Sequence, residues 1–186
     1  MPIERGTVER SPMDDPSALS VPMPLPEGRF DGREAFDRLL RIALASAARQ
    51  GWREMVFSDP DFADWPLGER ACIEALQAWS SSGRRLMLLA ERFDGIERWH
   101  ARFVGWRRTW DHIVECRAVR APHAQRSGRS VPSALWTPGW IVHRIDAEHS
   151  RGVSSTDART RSELRETIDA CWRTGRPAFP ATTAGL

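Results

Sequence analysis

Three aspartates in the segment FSDPDFADW have the residue type and spacing for acid–base or metal chemistry. Asp59, Asp61 and Asp64 belong to or follow REMVFSD, a run that predicts a short buried strand ending at Asp59. Open α/β sheets bind ligands beyond the carboxyl ends of their strands, where these carboxylates could hold Mg²⁺ or transfer protons. The alternative is that Asp-Pro and Asp-Trp-Pro form turns and that Asp64 caps the next helix. Because no second acidic cluster completes a metal site, we favour the turns and expect no metal or cofactor.

Two further residues extend the catalytic hypothesis. Arg92 follows the second predicted strand, RRLMLLA, and His112 stands at the start of the third, HIVECRAV. If both converged with Asp59 and Asp61 in one cleft, the four side chains would form a site for a phosphate ligand. No pair among the 5 histidines has the H-x-x-x-H spacing with which one helix presents two imidazoles to a metal ion.

Arginine supplies every basic side chain apart from histidine. All 27 residues of the combined lysine and arginine count are arginine, and the chain contains no lysine, asparagine or tyrosine. The missing residues need A/T-rich codons, so a GC-rich genome explains the arginine content better than nucleic-acid binding does. The absence of lysine excludes a P-loop, a Schiff base and the His-x-Lys chemistry of some phosphodiesterases. Residues 84–129 are nevertheless locally basic, with 11 arginines against 5 acids.

Tryptophan and arginine are interleaved in WHARFVGWRRTWDHIVECR, residues 99–117. Helical spacing places five large apolar side chains on one face of a helix: Ile96, Trp99, Phe103, Trp106 and Trp110. Three indoles at this spacing are more often packed on a sheet than exposed as stacking platforms, so we predict a buried stripe. Arg107 and Arg108 are then expected at its rim with their charged heads toward water, as candidates for binding an anion.

The order of the predicted elements indicates one α/β domain. Helices are predicted for residues 33–50, 66–82, 95–110 and 157–174. Three apolar strands, REMVFSD, RRLMLLA and HIVECRAV, alternate with the earlier helices, and LWTPGWIVHRID predicts a hairpin. This pattern favours a mostly parallel mixed sheet with helices on both faces, completed by a C-terminal hairpin and helix. Residues 1–28 hold six of the 13 prolines and predict a disordered tail in front of a domain over residues 29–186.

The cysteines and the apolar runs bear on the compartment. Cys72, Cys116 and Cys171 lie far apart, with no C-x-x-C pair, and each stands in an apolar pattern. Buried free thiols in a reducing compartment fit this distribution best. The N-terminus lacks the apolar segment of a signal peptide, and no run approaches the roughly 18 apolar residues of a membrane span. We therefore expect a cytoplasmic protein that does not interact with membranes.

Four segments carry a resemblance to a known family. FSDPDFADWPL, RRLMLLAERFD, RFVGWRRTWDHI and GRPAFPATTAGL resemble an uncharacterised proteobacterial family with a phospholipase-D-like α/β half-domain, sometimes fused to N-acetyltransferases. The resemblance covers residues 30–186 and implies a fold and a domain of unknown function. This chain has neither an acetyltransferase domain nor a His-x-Lys pair, so the resemblance implies neither activity.

Two hypotheses of function follow from these patterns. The first, which we favour, is a non-catalytic binding or scaffold domain that self-associates or binds an anionic ligand; nucleic acid is a less favoured partner. The second is a hydrolytic or phosphate-binding site at the carboxyl ends of the strands, built from Asp59, Asp61, Arg92 and His112. Convergence of those side chains in one cleft would favour the second hypothesis, and scattered positions would favour the first.

Overall fold

The computed structural model describes residues 24–119 and 130–181. Its helices are α1 (Arg33–Gln50), α2 (Arg70–Trp79), α3 (Asp94–Trp99), α4 (Ala101–Thr109) and α5 (Ala158–Thr174). Its strands are β1 (Gly28–Phe30), β2 (Glu54–Ser58), β3 (Arg85–Ala90), β4 (Val114–Ala118), β5 (Ser133–Trp136), β6 (Ile141–Asp146), β7 (Arg151–Ser155) and β8 (Arg176–Pro177). Within the described residues the strands form one sheet in the order β1-β7-β6-β5-β2-β3-β4-β8.

The α/β class and the helices flanking a mixed sheet are confirmed. The parallel pairs are β2–β3 and β3–β4, as the βαβαβ pattern requires. The other five pairings of the described sheet are antiparallel, so parallel pairing is limited to the central strands. Short connections account for two of these pairings, β5–β6 and β6–β7, because a few residues can join only antiparallel neighbours.

Both faces of the sheet are buried. Met55 and Phe57 of β2 belong to a core cluster with α1 and α2, whereas Val56 between them belongs to a second cluster with Leu164 and Ile168 of α5. Successive side chains of a strand point to opposite faces, so one apolar strand serves both clusters. The continuous apolar runs of β2 and β3 therefore reflect burial on two sides.

The first and last helices match their predicted patterns. In α1 the apolar face is buried from Phe36 to Ala47. Gly51 ends the helix with φ 66°, and its amide donates a hydrogen bond to the carbonyl of Ala47. Glycine adopts this left-handed conformation without the strain that a Cβ would cause. In α5 the N-cap residue is Asp157, whose carboxylate accepts from the amide of Thr160 at 2.8 Å.

The predicted third helix is broken in two at His100. His100 has φ −123° and ψ 49°, which separates α3 from α4, and its buried ring donates from Nε2 to the carbonyl of Phe62 at 2.8 Å. The break changes the helical phase, so the prediction of a continuous buried stripe is wrong at Trp99, which is 63% exposed. Phe103 and Trp106 beyond the break are buried as predicted.

Two other predictions concern the chain before α1 and before α2. Residues 1–23 of the predicted tail lie outside the described part of the chain. Residues 24–28 contact the domain, since Leu25 packs on the core and the indole of Trp140 donates to the carbonyl of Pro26 at 2.9 Å. The helix predicted from residue 66 begins as one 3-10 turn, Pro66–Gly68, before α2.

Candidate functional site

Asp59 occupies the carboxyl end of β2 and is almost entirely buried, at 1% exposure. Its Oδ1 accepts from the amides of Asp61 and Phe62 at 3.1 and 2.8 Å, which closes the predicted turn. Its Oδ2 accepts from the indole of Trp65 at 2.9 Å and from the hydroxyl of Ser133 at 2.5 Å. Both oxygens are therefore engaged by neighbouring donors.

Arg144 of β6 completes a buried polar network around Asp59. Its Nη2 donates to Asp59 Oδ2 at 2.9 Å, its two Nη groups donate to the carboxylate of Asp64, and its Nε donates to Ser133 Oγ at 2.8 Å. The guanidinium also lies over the ring of Phe36, 4.6 Å from its centroid. Because its side chain is only 3% exposed, the charge of Arg144 needs these partners.

This network explains what the three aspartates do. The turn interpretation is confirmed for Asp59 and Asp61, but Asp64 binds Arg144 and does not cap α2, whose N-cap residue is Glu69. The carboxylate is drawn toward the guanidinium because a buried cation attracts an anion more strongly than a helix terminus does. Across the described ranges, no group of three or more histidine, cysteine or acidic residues is arranged to hold a metal ion.

Asp61 and Arg92 meet beside the network, as the second hypothesis expected. Arg92 Nη2 donates to Asp61 Oδ2 at 2.8 Å, and the amide of Ala63 donates to the same carboxylate at 3.0 Å. Partial burial alone would raise the pKa of Asp61, but these two donors outweigh it and lower that pKa. Arg92 is 65% exposed and also lies 3.6 Å from Asp94, so this pair is a surface ion pair.

His112 lies apart from the aspartates. It stands in the 3-10 turn Asp111–Ile113 before β4, with its exposed ring 5.7 Å from that of Trp110. Because β2, β3 and β4 are parallel, the start of β4 and the carboxyl end of β2 are at opposite ends of these strands. The structure thus brings together three of the four proposed side chains and separates His112 from them.

Arg107 and Arg108 border a different cavity, of about 460 Å³, between α4 and the segment after β8. The rim position predicted for Arg107 is wrong, since its side chain is only 5% exposed. Its Nε points to Cys116 Sγ at 3.4 Å and its guanidinium covers the ring of Phe179 at 4.9 Å. Arg107 lies about 40° round α4 from buried Phe103 and is buried with it, while Arg108 is exposed as expected.

A groove of about 510 Å³ lies on the other side of the break, and Trp99 is one of its walls. Arg102, also in the wall, is exposed and donates to the carbonyl of Gly68 at 3.0 Å, and exposed Arg98 precedes Trp99. We call Arg98, Trp99 and Arg102 the α3–α4 surface. Sequence reasoning missed it because an uninterrupted helix would bury Trp99.

The comparisons with known proteins give a fold and no family. No model of a known family matches the chain, and no curated protein matches its sequence. The chain is similar to TrmBL2, an archaeal chromatin protein reported to show a novel mode of DNA binding, with a TM-score of 0.53 and 12% identity over 81% of this chain and 53% of that one. It is also similar to NucT from Helicobacter pylori, with a TM-score of 0.53 and 9% identity over 82% of this chain and 99% of that one.

These likenesses show the fold alone at such low identities. The chain spans about half the length of the TrmBL2 chain, 53%. The resemblance to a proteobacterial family stays a prediction. No helix in the described ranges is long and apolar enough to cross a membrane.

Proposed function

We propose that this protein is a non-catalytic binding domain that holds a single-stranded nucleic acid on its α3–α4 surface. The observation that carries the proposal is the indole of Trp99, which is 63% exposed between two exposed arginines and borders a groove. An exposed indole offers a flat apolar face on which a base can stack. We therefore propose nucleic acid, although the sequence alone favoured self-association or an unspecified anionic ligand.

The groove combines a stacking platform with positive charge. Proteins that bind single strands place bases on exposed aromatic rings and phosphates on arginines. Asp37 lies 3.8 Å from Arg33 and Glu69 lies 2.7 Å from Arg41, so the acids in the wall already face cations. The charges added by the α3–α4 surface therefore remain for phosphate groups.

We propose no catalytic role because the aspartates at the end of β2 are already engaged by neighbouring donors. A general base or nucleophile needs a carboxylate that a substrate can reach. Asp59 is 1% exposed and receives donors on both oxygens, and Asp61 is held by Arg92 and the amide of Ala63. The DNA binding reported for TrmBL2, which shares the fold, supports a binding role for this scaffold.

Fluorescence anisotropy with a labelled oligothymidylate of about 12 nucleotides tests the proposal. We expect the parent protein to bind at low salt and Trp99→Ala to weaken binding roughly 5- to 150-fold, because stacking contributes about 1–3 kcal/mol per base. Trp99→Phe should restore part of the affinity. Ile145→Ala is the matched control, since Ile145 is similarly exposed, at 68%, and lies on β6, outside the α3–α4 surface.

Two results would contradict this function. The parent protein could fail to bind any single-stranded oligonucleotide at low salt, or Trp99→Ala could bind as tightly as Ile145→Ala. If the parent protein were an oligomer in solution and Trp99→Ala a monomer, self-association through the exposed indole would explain its exposure better than nucleic-acid binding.

A further inference from the structure

The cavity beside Arg107 is distinct from the α3–α4 surface. Its α4 wall includes Ala101, Val104, Gly105 and Arg108, which follow the spacing of one helical face, and Arg107 at the side of that face. Arg102 lies about 100° further round the helix from Ala101. The opposite wall is the segment from Phe179 to Ala181. At about 460 Å³ the cavity has the size of a site for a small molecule.

Arg107 is a buried cation with incomplete hydrogen bonding. Its Nε has the thiol of Cys116 as partner, and sulfur is a weak acceptor. Its Nη1 lies 3.3 Å from Asp111 Oδ1 but has no partner of hydrogen-bond geometry among the described residues. A buried charged group in this condition destabilises the protein unless an acceptor is supplied. Arg107 also lines the cavity, so an oxyanion bound there would add an acceptor beside this guanidinium, although Nη1 itself is enclosed.

The rest of the wall narrows the class of ligand. Val104, Phe179 and Pro180 present apolar surface, and Arg108 adds a second guanidinium that is exposed. Phe179 is held in the left-handed region at φ 51°, a conformation that bulky residues rarely adopt, by parallel stacking on Phe93 at 5.2 Å. We propose that this cavity binds a small organic oxyanion, a carboxylate or a phosphate monoester attached to a compact apolar body.

The charges favour a ligand with one anionic group. Two guanidinium groups, of Arg107 and Arg108, and one carboxylate, of Glu97, line the wall, which leaves one positive charge in excess there. Asp111 is outside the wall and lies 3.3 Å from buried Arg107, so exposed Arg108 is the cation that remains for the anionic group of a ligand. The oxyanion would accept from the arginines, and the apolar body would contact Val104 and Phe179. A neutral ligand could accept a hydrogen bond there but would bring no negative charge to the two arginines.

Gly105 allows the cavity to be blocked without changing the core. A Cβ at Gly105 would meet no atom within 4 Å, and its backbone is helical. Gly105→Leu should fill the mouth, whereas Gly105→Ala is the matched control, because both changes improve helix propensity but only leucine occupies the space. Arg108→Gln removes the exposed cation, with Arg92→Gln as a control for the same change of charge elsewhere.

Isothermal titration calorimetry with benzoate and phenyl phosphate tests the proposal. Benzyl alcohol lacks the anion and inorganic phosphate lacks the apolar body. We expect one or both aromatic anions to bind the parent and Gly105→Ala at least tenfold more tightly than either control probe. Gly105→Leu should lose at least tenfold in affinity, and Arg108→Gln roughly twofold to fivefold. Preference for phenyl phosphate or for benzoate identifies the oxyanion.

Three outcomes would overturn this site: no probe binds the parent at millimolar concentration, benzyl alcohol binds as well as benzoate, or Gly105→Leu binds like Gly105→Ala. Trp99→Ala should bind both anions like the parent, and Gly105→Leu should bind oligothymidylate like the parent. Failure of this site and failure of the proposed function are therefore separate results.

Discussion

Replacing Arg144 by leucine should destabilise the protein more than any other single arginine change. The substitution leaves the carboxylate of Asp59, which is 2% exposed, buried without its cation. It also removes the donor to Ser133 Oγ and the ion pair with Asp64. The remaining donors to Asp59, from Trp65, the Ser133 hydroxyl and two amides, are neutral and cannot compensate its charge.

The expected loss in the free energy of unfolding depends on how deeply each partner of Arg144 is buried. Arg144 and Asp59 are 3% and 2% exposed, so solvent screens their interaction little, whereas Asp64 is 34% exposed and its share is smaller. Breaking a buried ion pair from one side costs about 3–5 kcal/mol. For a chain of this size, that lowers the Tm by roughly 6–20 °C.

Urea denaturation followed by far-UV circular dichroism gives the free energy of unfolding for each variant. Arg159→Leu is the control, because its pair with Glu163 lies on the surface of α5 and should leave the urea midpoint unchanged within error. Asp59→Asn in the Arg144→Leu background removes the orphaned charge and keeps an oxygen for the turn amides. The double variant should therefore be more stable than the sum of the single changes by about 1–3 kcal/mol. If the free energy of unfolding of Arg144→Leu were within about 1 kcal/mol of the parent's, the buried network would not contribute the expected stability.

Three further predictions concern the helix break, two histidines and the thiols. Trp106→Ala should cost about 3–5 kcal/mol because its indole is 5% exposed, while Trp99→Ala should leave the urea midpoint nearly unchanged; equal losses would contradict the break between α3 and α4. Burial lowers the pKa of His100 and His143 below the ordinary 6.5, so the unfolded chain takes up protons first as the pH falls. The free energy of unfolding should therefore decrease from about pH 7 to pH 5.5, and changing both histidines to glutamine should flatten that profile. Burial raises the pKa of Cys72 to about 12, and all three cysteines are buried, so a thiol reagent at pH 8 should react slowly with the native protein and fast in denaturant.

The elements that the sequence predicts well are those whose burial pattern is continuous. The α1 helix, the central strands β2 and β3, and the α5 helix carry uninterrupted apolar patterns, and the structure has them within a few residues. Strands β1, β7 and β8 escaped prediction because they are short and largely polar, as in RGVSS of β7. Such strands form because a neighbouring strand offers backbone partners, which single-sequence patterns do not contain.

In the candidate site, the contacts between residues close in sequence were predictable and those between distant residues were not. The turn around Asp59 depends on residues 2–6 positions away, and turn chemistry identified it. The contact between Asp59 and Arg144 spans 85 residues and depends on β6 pairing with β5 so that Arg144 stands opposite Ser133. The α3–α4 surface depends on one broken turn at His100, which a fixed period of 100° per residue cannot register.

Photocrosslinking shows where on the protein a single strand binds, because the crosslinked peptide can be identified by mass. An oligonucleotide carrying 4-thiothymidine is irradiated with the protein and digested with trypsin, which cleaves after Arg98 and Arg102. We expect the crosslinked peptide to be WHAR, residues 99–102. We also expect Trp99→Ala to abolish the crosslink and Ile145→Ala to retain it. Crosslinks confined to α5, or an unchanged yield with Trp99→Ala, would contradict a binding surface at α3–α4.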